Sequence, residues 1–379
     1  MRNYRWALWI GLFALPALAA QPPQQPQDKK AVPPPWAYGY AAPADAPVPP
    51  GGVPFAPAGP DDGSLKHLTG SSGAFTVSQI RDSYGPADWY PNDHPEMPDV
   101  VAHGHKPEVR ACSLCHYPNG KGRPENAGVA GLPYEYILQT MSDFKSGYRR
   151  SSDPRKPNTY FMMGFAQAMS EDEIKDAARY FSSMKWTPWI KVIETNTVPK
   201  TRINGGIFIR LESGETEPIG NRIIETPVNA EATETLRDSR SPFIAYVPVG
   251  SLKKGEALVT TGGNGKTTRC AICHGEDLLG LGPVPGLAGR SPSYLMRQLY
   301  DIQSGARSGV WSNLMKPVVA KFTTDDMLAV AAYLASRGGI TGSVSAREKT
   351  LDDHNAGSRA KSNNRSAKNA FRSTSAVTN

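Results

Sequence analysis

Two parts of the chain share one rhythm of apolar positions. In the stretch from Tyr136 to Phe144, Ile137, Met141 and Phe144 recur near helical spacing. After Ser170, a second predicted helix puts Ile174, Ala178 and Phe181 on one face. After Thr323, Met327, Val330, Ala331 and Leu334 do the same. Ser170 and Thr323 read as N-caps, with Glu173 and Asp326 three residues on: a capping box and an approximate one. Residues 188–249 change the rhythm. There Ile207, Ile209 and Leu211 alternate with Phe208 and Arg210 between Gly- and Glu-rich turns, which predicts a short antiparallel β element.

The matching helices belong to an internal repeat. "CSLCH", "YILQTMSDFKSGYR" and a Met-to-"AARYF" ending return as "CAICH", "YLMRQLYDIQSGAR" and a Met-to-"AAYL" ending. From Cys112 to Arg149 the offset is a constant 158, pairing Cys112 with Cys270, His116 with His274, Tyr136 with Tyr294 and Arg149 with Arg307. A shortening then makes it 153, pairing Met162 with Met315 and Tyr180 with Tyr333. The expected fold is mostly α: two tandem helical domains, residues 63–187 and 250–340, with a small β insert, 188–249, between them.

The ends change the picture. Residues 1–20 carry Arg2 and Arg5, an apolar run from Trp6 to Leu18 and a small-residue site at Ala17-Leu18-Ala19, the pattern of a signal peptide. That run falls short of the roughly 20 residues of a spanning helix, so no transmembrane span is expected after cleavage. Residues 21–62 are a Pro-rich arm with Trp36, Tyr38, Tyr40 and Phe55 as aromatic handles; the arm is a spacer or docks on the body. Residues 341–379 read as a disordered basic tail. The net charge of +7 mostly describes these ends, leaving the body near neutral. A body without a clustered basic face gives no support for nucleic-acid binding.

Four cysteines in 379 residues are too few for a disulfide scaffold. A redox dithiol wants a thioredoxin-like βαβ context, and a structural zinc wants four ligands from neighbouring pairs. Neither accounts for a histidine after each C-x-x-C or for the repeat. Covalent haem does. Thiols at i and i+3 of a helical turn form thioethers with the two porphyrin vinyls, and the next residue falls under the iron. Cys112, Cys115 and His116 form one such set; Cys270, Cys273 and His274 form the other. The expected cofactor is haem c, two copies, covalently attached, which also implies an exported, periplasmic protein. Met162 and Met315, each eight residues before a helix cap, are the expected sixth ligands of the irons. Met163 competes with Met162, and His94, His103 and His105 offer a bis-His alternative at the first site. Arg149 and Arg307 suit haem propionates or helix-end ion pairs equally.

These motifs resemble dihaem class I cytochromes c of the c4 and c553 type over residues 97–186 and 250–338. The resemblance implies two cytochrome c-like domains, each wrapping a His/Met haem. It implies that Tyr180 and Tyr333 sit where the last helix crosses the first. It further implies that a carbonyl of "GLGPVPGLAG" backs His274, whereas "GRPENAGVAG" displaces the proline to Pro124 beside His116. The expected function is single-electron transfer with redox proteins as donors and acceptors and no catalytic residue. The alternatives are a cytochrome subunit of a periplasmic dehydrogenase or oxidase complex, and a dihaem peroxidase.

Overall fold

A computed structural model describes residues 32–43 and 61–338. The predicted signal segment, the tail and most of the Pro-rich arm lie outside the described residues. The described part of the arm docks. Pro35–Tyr38 forms one helical turn, α1, whose Trp36, Ala37 and Tyr38 are all buried. Proline at its first position suits the fixed φ of a helix start, and Gly39 closes it at φ +84°.

In the first repeat, α2 is the turn Cys112–His116, α3 runs Tyr134–Lys145, α4 runs Pro157–Ala168 and α5 runs Glu171–Ser183. Ser170 accepts from the Glu173 N–H while Glu173 accepts from the Ser170 N–H, so the expected capping box is complete. Val100, Met141, Phe144, Ala166, Ile174 and Phe181 build the core of this lobe.

The insert is larger and less uniform than a single antiparallel element. Strand β1, Ile190–Glu194, β2, Thr201–Asn204, β3, Ile207–Arg210, β4, Ile224–Pro227, and β5, Phe243–Val247, are its main strands. β5 is central, antiparallel to β4 (Ile224 opposite Tyr246) and parallel to β1 (Phe243 opposite Ile190). β2 and β3 form a hairpin where the sequence predicts a short antiparallel β element, turned by Gly205 and Gly206 at φ +56° and +84°. Positive φ at both turn positions matches the strand twist and favours glycine. The expected alternation fails along β3, where Ile207, Phe208 and Ile209 are all buried. The reason is that β3 is covered on both faces, while its hairpin partner β2 stays partly exposed.

In the second repeat, α6 runs Ser251–Thr261, α7 Ala271–His274, α8 Pro292–Ser304, α9 Ser312–Val319 and α10 Thr324–Ser336. Thr323 and Asp326 form a full capping box, where the sequence suggested only an approximate one. α10 crosses α6 closely: a Cβ on Gly255 would lie 2.0 Å from the Ala329 carbonyl oxygen and 2.7 Å from Tyr333 Cβ. Tyr333 thus sits at the crossing the resemblance implied. The first lobe differs, because its leading helix is only Asp99–Ala102. Tyr180 instead meets the His94 ring edge-on at 6.3 Å and donates to the Pro118 carbonyl at 2.6 Å. One hydrophobic core joins arm, insert and second repeat, running through Trp36, Tyr38, Ile190, Phe243, Leu295 and Met327.

The candidate haem sites

α2 lies along one wall of an apolar cleft of about 180 Å³ in the first lobe. On that measure one water takes roughly 10–15 Å³, so the space exceeds any packing defect. Cys112, Cys115 and His116 line it, and so do Met141, Met162 and Met169. Val129, Leu132, Ile137, Phe144, Phe165 and Phe181 complete the apolar walls. Met163, the competing sulfur, packs in the same lobe's core but is not among the residues lining the cleft. Met141, read from the sequence only as an apolar helix position, and Met169 also face the cleft; the repeat gave no signal for either as a ligand.

His116 Nδ1 lies 2.9 Å from the Ala127 carbonyl oxygen. A carbonyl only accepts, so Nδ1 carries the proton and Nε2 keeps its lone pair. Burial pushes the His116 ring below the ordinary imidazole range, against the opposing pull of that carbonyl. A neutral ring held in one tautomer is the form that ligates a metal. His274 repeats the arrangement, with Nδ1 at 2.8 Å from the Pro285 carbonyl and its pKa likewise lowered by burial. Ala127 and Pro285 are repeat equivalents, 158 residues apart. The backing of His116 therefore survives without a proline, because it uses the backbone. Burial and the neighbouring Cys115 push the Cys112 thiol up to about 12, and burial with Cys273 pushes Cys270 up to about 11. None of the four cysteines is disulfide-bonded.

The cleft's other end is polar and cationic. Arg149, Lys156 and Arg297 reach it beside Tyr136 and Tyr294. The two repeats meet here through an antiparallel bridge between Arg149 and Arg307. Their guanidiniums cross over: Arg149 Nη2 donates to Tyr294 Oη at 3.1 Å, and Arg307 Nη2 donates to Tyr136 Oη at 3.0 Å. Gln298 Oε1 accepts from both, at 3.0 and 2.9 Å. Burial alone would raise the Tyr136 phenol, but Arg307 and Arg149 outweigh it and bring it to about 7. Neither arginine makes a helix-end ion pair among the described residues.

A porphyrin suits this cleft on chemical grounds. Its walls are apolar, two thiols and an imidazole sit on one side, and cations gather at one end to meet propionates. In the second repeat the same residue types lie nearer the surface. Cys270 and Met315 pack against one core, Cys273 is exposed, and Ile272 and Leu314 are 63% and 74% exposed.

The other candidates are engaged elsewhere. His94 contacts Asp88 at 3.0 Å, His103 contacts the Tyr84 carbonyl at 3.1 Å, and His105 contacts Glu173 at 2.7 Å. None of the three lines the cleft.

A helical lobe with a C-x-x-C-H turn, a carbonyl-backed imidazole and an apolar slot defines a class I c-type cytochrome. The cytochrome c family profile matches residues 101–185. Cytochrome c4 of Stutzerimonas stutzeri is 34% identical over 240 residues, covering 60% of this chain and 84% of that protein. The chain belongs to the dihaem cytochrome c4 family and binds two haems c covalently. It is an electron-transfer cytochrome. A protein of Stutzerimonas stutzeri (strain A1501) named thiosulfate dehydrogenase electron acceptor is 41% identical over 83 residues, covering 21% of this chain and 37% of that protein. The crystal structure of reduced recombinant cytochrome c4 from Pseudomonas stutzeri aligns with a TM-score of 0.39 at 21% identity, covering 60% of this chain and 93% of that one. No helix among the described residues is long and apolar enough to cross a membrane.

Proposed function

We propose that the protein is a periplasmic carrier of single electrons in which both irons have His/Met ligation. Cys112 and Cys115 hold the first haem and Cys270 and Cys273 the second. His116 and Met162 ligate one iron, His274 and Met315 the other. The haem supplies a one-electron ferric/ferrous couple, and methionine opposite histidine favours the ferrous side. The chain's residues do the rest. Ala127 and Pro285 orient the imidazoles, the apolar walls exclude water, and Arg149, Lys156 and Arg297 stand where propionates would lie.

The observation that carries this reading is the shared cleft: Met162, His116 and both first-site cysteines line it together. Two sulfur–imidazole pairs leave no open iron, which argues for a carrier over a dihaem peroxidase. The domain limits proposed are 63–187 and 250–340, with the insert 188–249 between them.

Ferrous Met162→Ala protein should bind carbon monoxide at one haem and lose half the sulfur-to-iron charge-transfer absorption. Met163→Ala should do neither. Carbon monoxide binding to the unaltered protein would overturn the carrier reading. A dehydrogenase subunit is the second reading, supported by the likeness to an electron acceptor of a dehydrogenase. It requires that a partner enzyme co-purify with the exported protein.

A further inference from the structure

The two haem sites are not electrostatic copies, and the insert is the reason. Its Arg237 approaches the first site from outside the cleft lining and donates to the carbonyl of Leu114, inside the C-x-x-C-H turn itself. The residue adopts φ +52°, a conformation that side-chain-bearing residues seldom hold, so this approach is over-determined by its surroundings. The guanidinium stands 5.5 Å from the Tyr117 ring centre. It forms no ion pair with a carboxylate among the described residues. Arg123, the neighbouring cation, is matched by Glu125 at 2.5 Å. Arg237 is therefore the cation beside this turn that no ion pair matches, distinct from Arg149, Lys156 and Arg297 at the cleft's far end.

The second site lacks this cover. Ile272, the repeat equivalent of Leu114, is 63% exposed. The nearby Arg269 is paired with Glu276 at the surface, where water and salt screen both charges.

We propose that Arg237 acts as a potential-setting residue, holding the first haem at a higher reduction potential than the second. A ferric haem carries one more positive charge than a ferrous one. A half-buried cation beside it disfavours the ferric form, and the apolar walls of the cleft reinforce the effect. The proposal rests on the dihaem reading, and haem content measured from the Soret band on the same samples tests that reading separately.

The experiment is a spectroelectrochemical titration of holoprotein carrying Arg237→Gln, Arg237→Lys or Glu125→Gln. Gln keeps a donor for Leu114 and removes the charge. It should lower the higher midpoint by at least 59 mV, a tenfold change for a one-electron couple, and leave the lower one in place. Lys should stay near the parent value. Removing the Glu125 carboxylate should move the same midpoint upward. If Gln and Lys shift it equally, position rather than charge is responsible and the proposal fails. It also fails if Gln shifts neither midpoint. Should the Gln protein not accumulate, an unmoved or lowered midpoint in Glu125→Gln overturns it.

Discussion

Glu225 is a fully buried carboxyl on β4, an outer strand of the insert's three-stranded sheet, and its hydrogen-bond partners are neutral. Ser291 Oγ donates to it at 2.8 and 3.0 Å, and the Ser293 N–H donates at 3.3 Å. Burial pushes its pKa up to about 7, against the lowering pull of the serine donors and of the Arg297 charge. The acid thus holds its proton more tightly folded than unfolded. The stability this contributes is complete below the unfolded pKa near 4.5 and is lost as pH rises through about 7. The sum over that window is ~3 kcal/mol at 1.36 kcal/mol per unit. Denaturant melts at several pH values should show this slope in the parent protein and a flatter one in Glu225→Gln. Tyr38 supplies a second test. Its hydroxyl donates to Asp301 Oδ1 at 2.7 Å in a buried setting, and Tyr38→Phe should cost ~1–3 kcal/mol in the same melts. At this scale the haem anchors were legible, because thioether chemistry demands cysteine and histidine at fixed spacing. Arg237 was not. Its partner is a backbone carbonyl 123 residues away, and no local pattern marks such a contact.

The helices followed their local chemistry. Ser170 and Thr323 cap where side-chain oxygens meet free N–H groups, and the apolar faces of α5 and α10 bury as their spacing required. The insert escaped such reading. β5 pairs in parallel with β1, from which it is separated by the whole insert, and alternation says nothing of a partner so distant. Residues on β3 that should alternate are buried on both sides, although its partner β2 keeps Arg202 in solvent. Its turn touches the arm: a Cβ on Gly39 would meet Gly206 Cα at 2.6 Å. Close approach of backbones likewise explains Gly255 in α6. Gly255→Ala would gain helix propensity yet collide with α10, so a net loss of ~1–3 kcal/mol is expected, read as a lowered melting temperature of the holoprotein.

Across the whole molecule, the repeats are held together by residues that each repeat lacks on its own. Arg149 and Arg307 satisfy each other's tyrosines, and Arg297 of the second repeat donates to Ala37 of the arm at 2.6 Å and to Pro124 of the first repeat at 2.8 Å. Loss of the first haem should be felt through this joint. A Cys112→Ser, Cys115→Ser double variant should carry one haem and melt at lower temperature, because an apolar cleft of about 180 Å³ is left unfilled. Tyr38 and Asp301 lie 263 residues apart in the chain. Early in the chain, the aromatic turn has nowhere to settle until nearly all of the polypeptide is in place. Closing so long a span is slow, so the first C-x-x-C-H turn can form while the clasp of Tyr38 on Asp301 still hangs open.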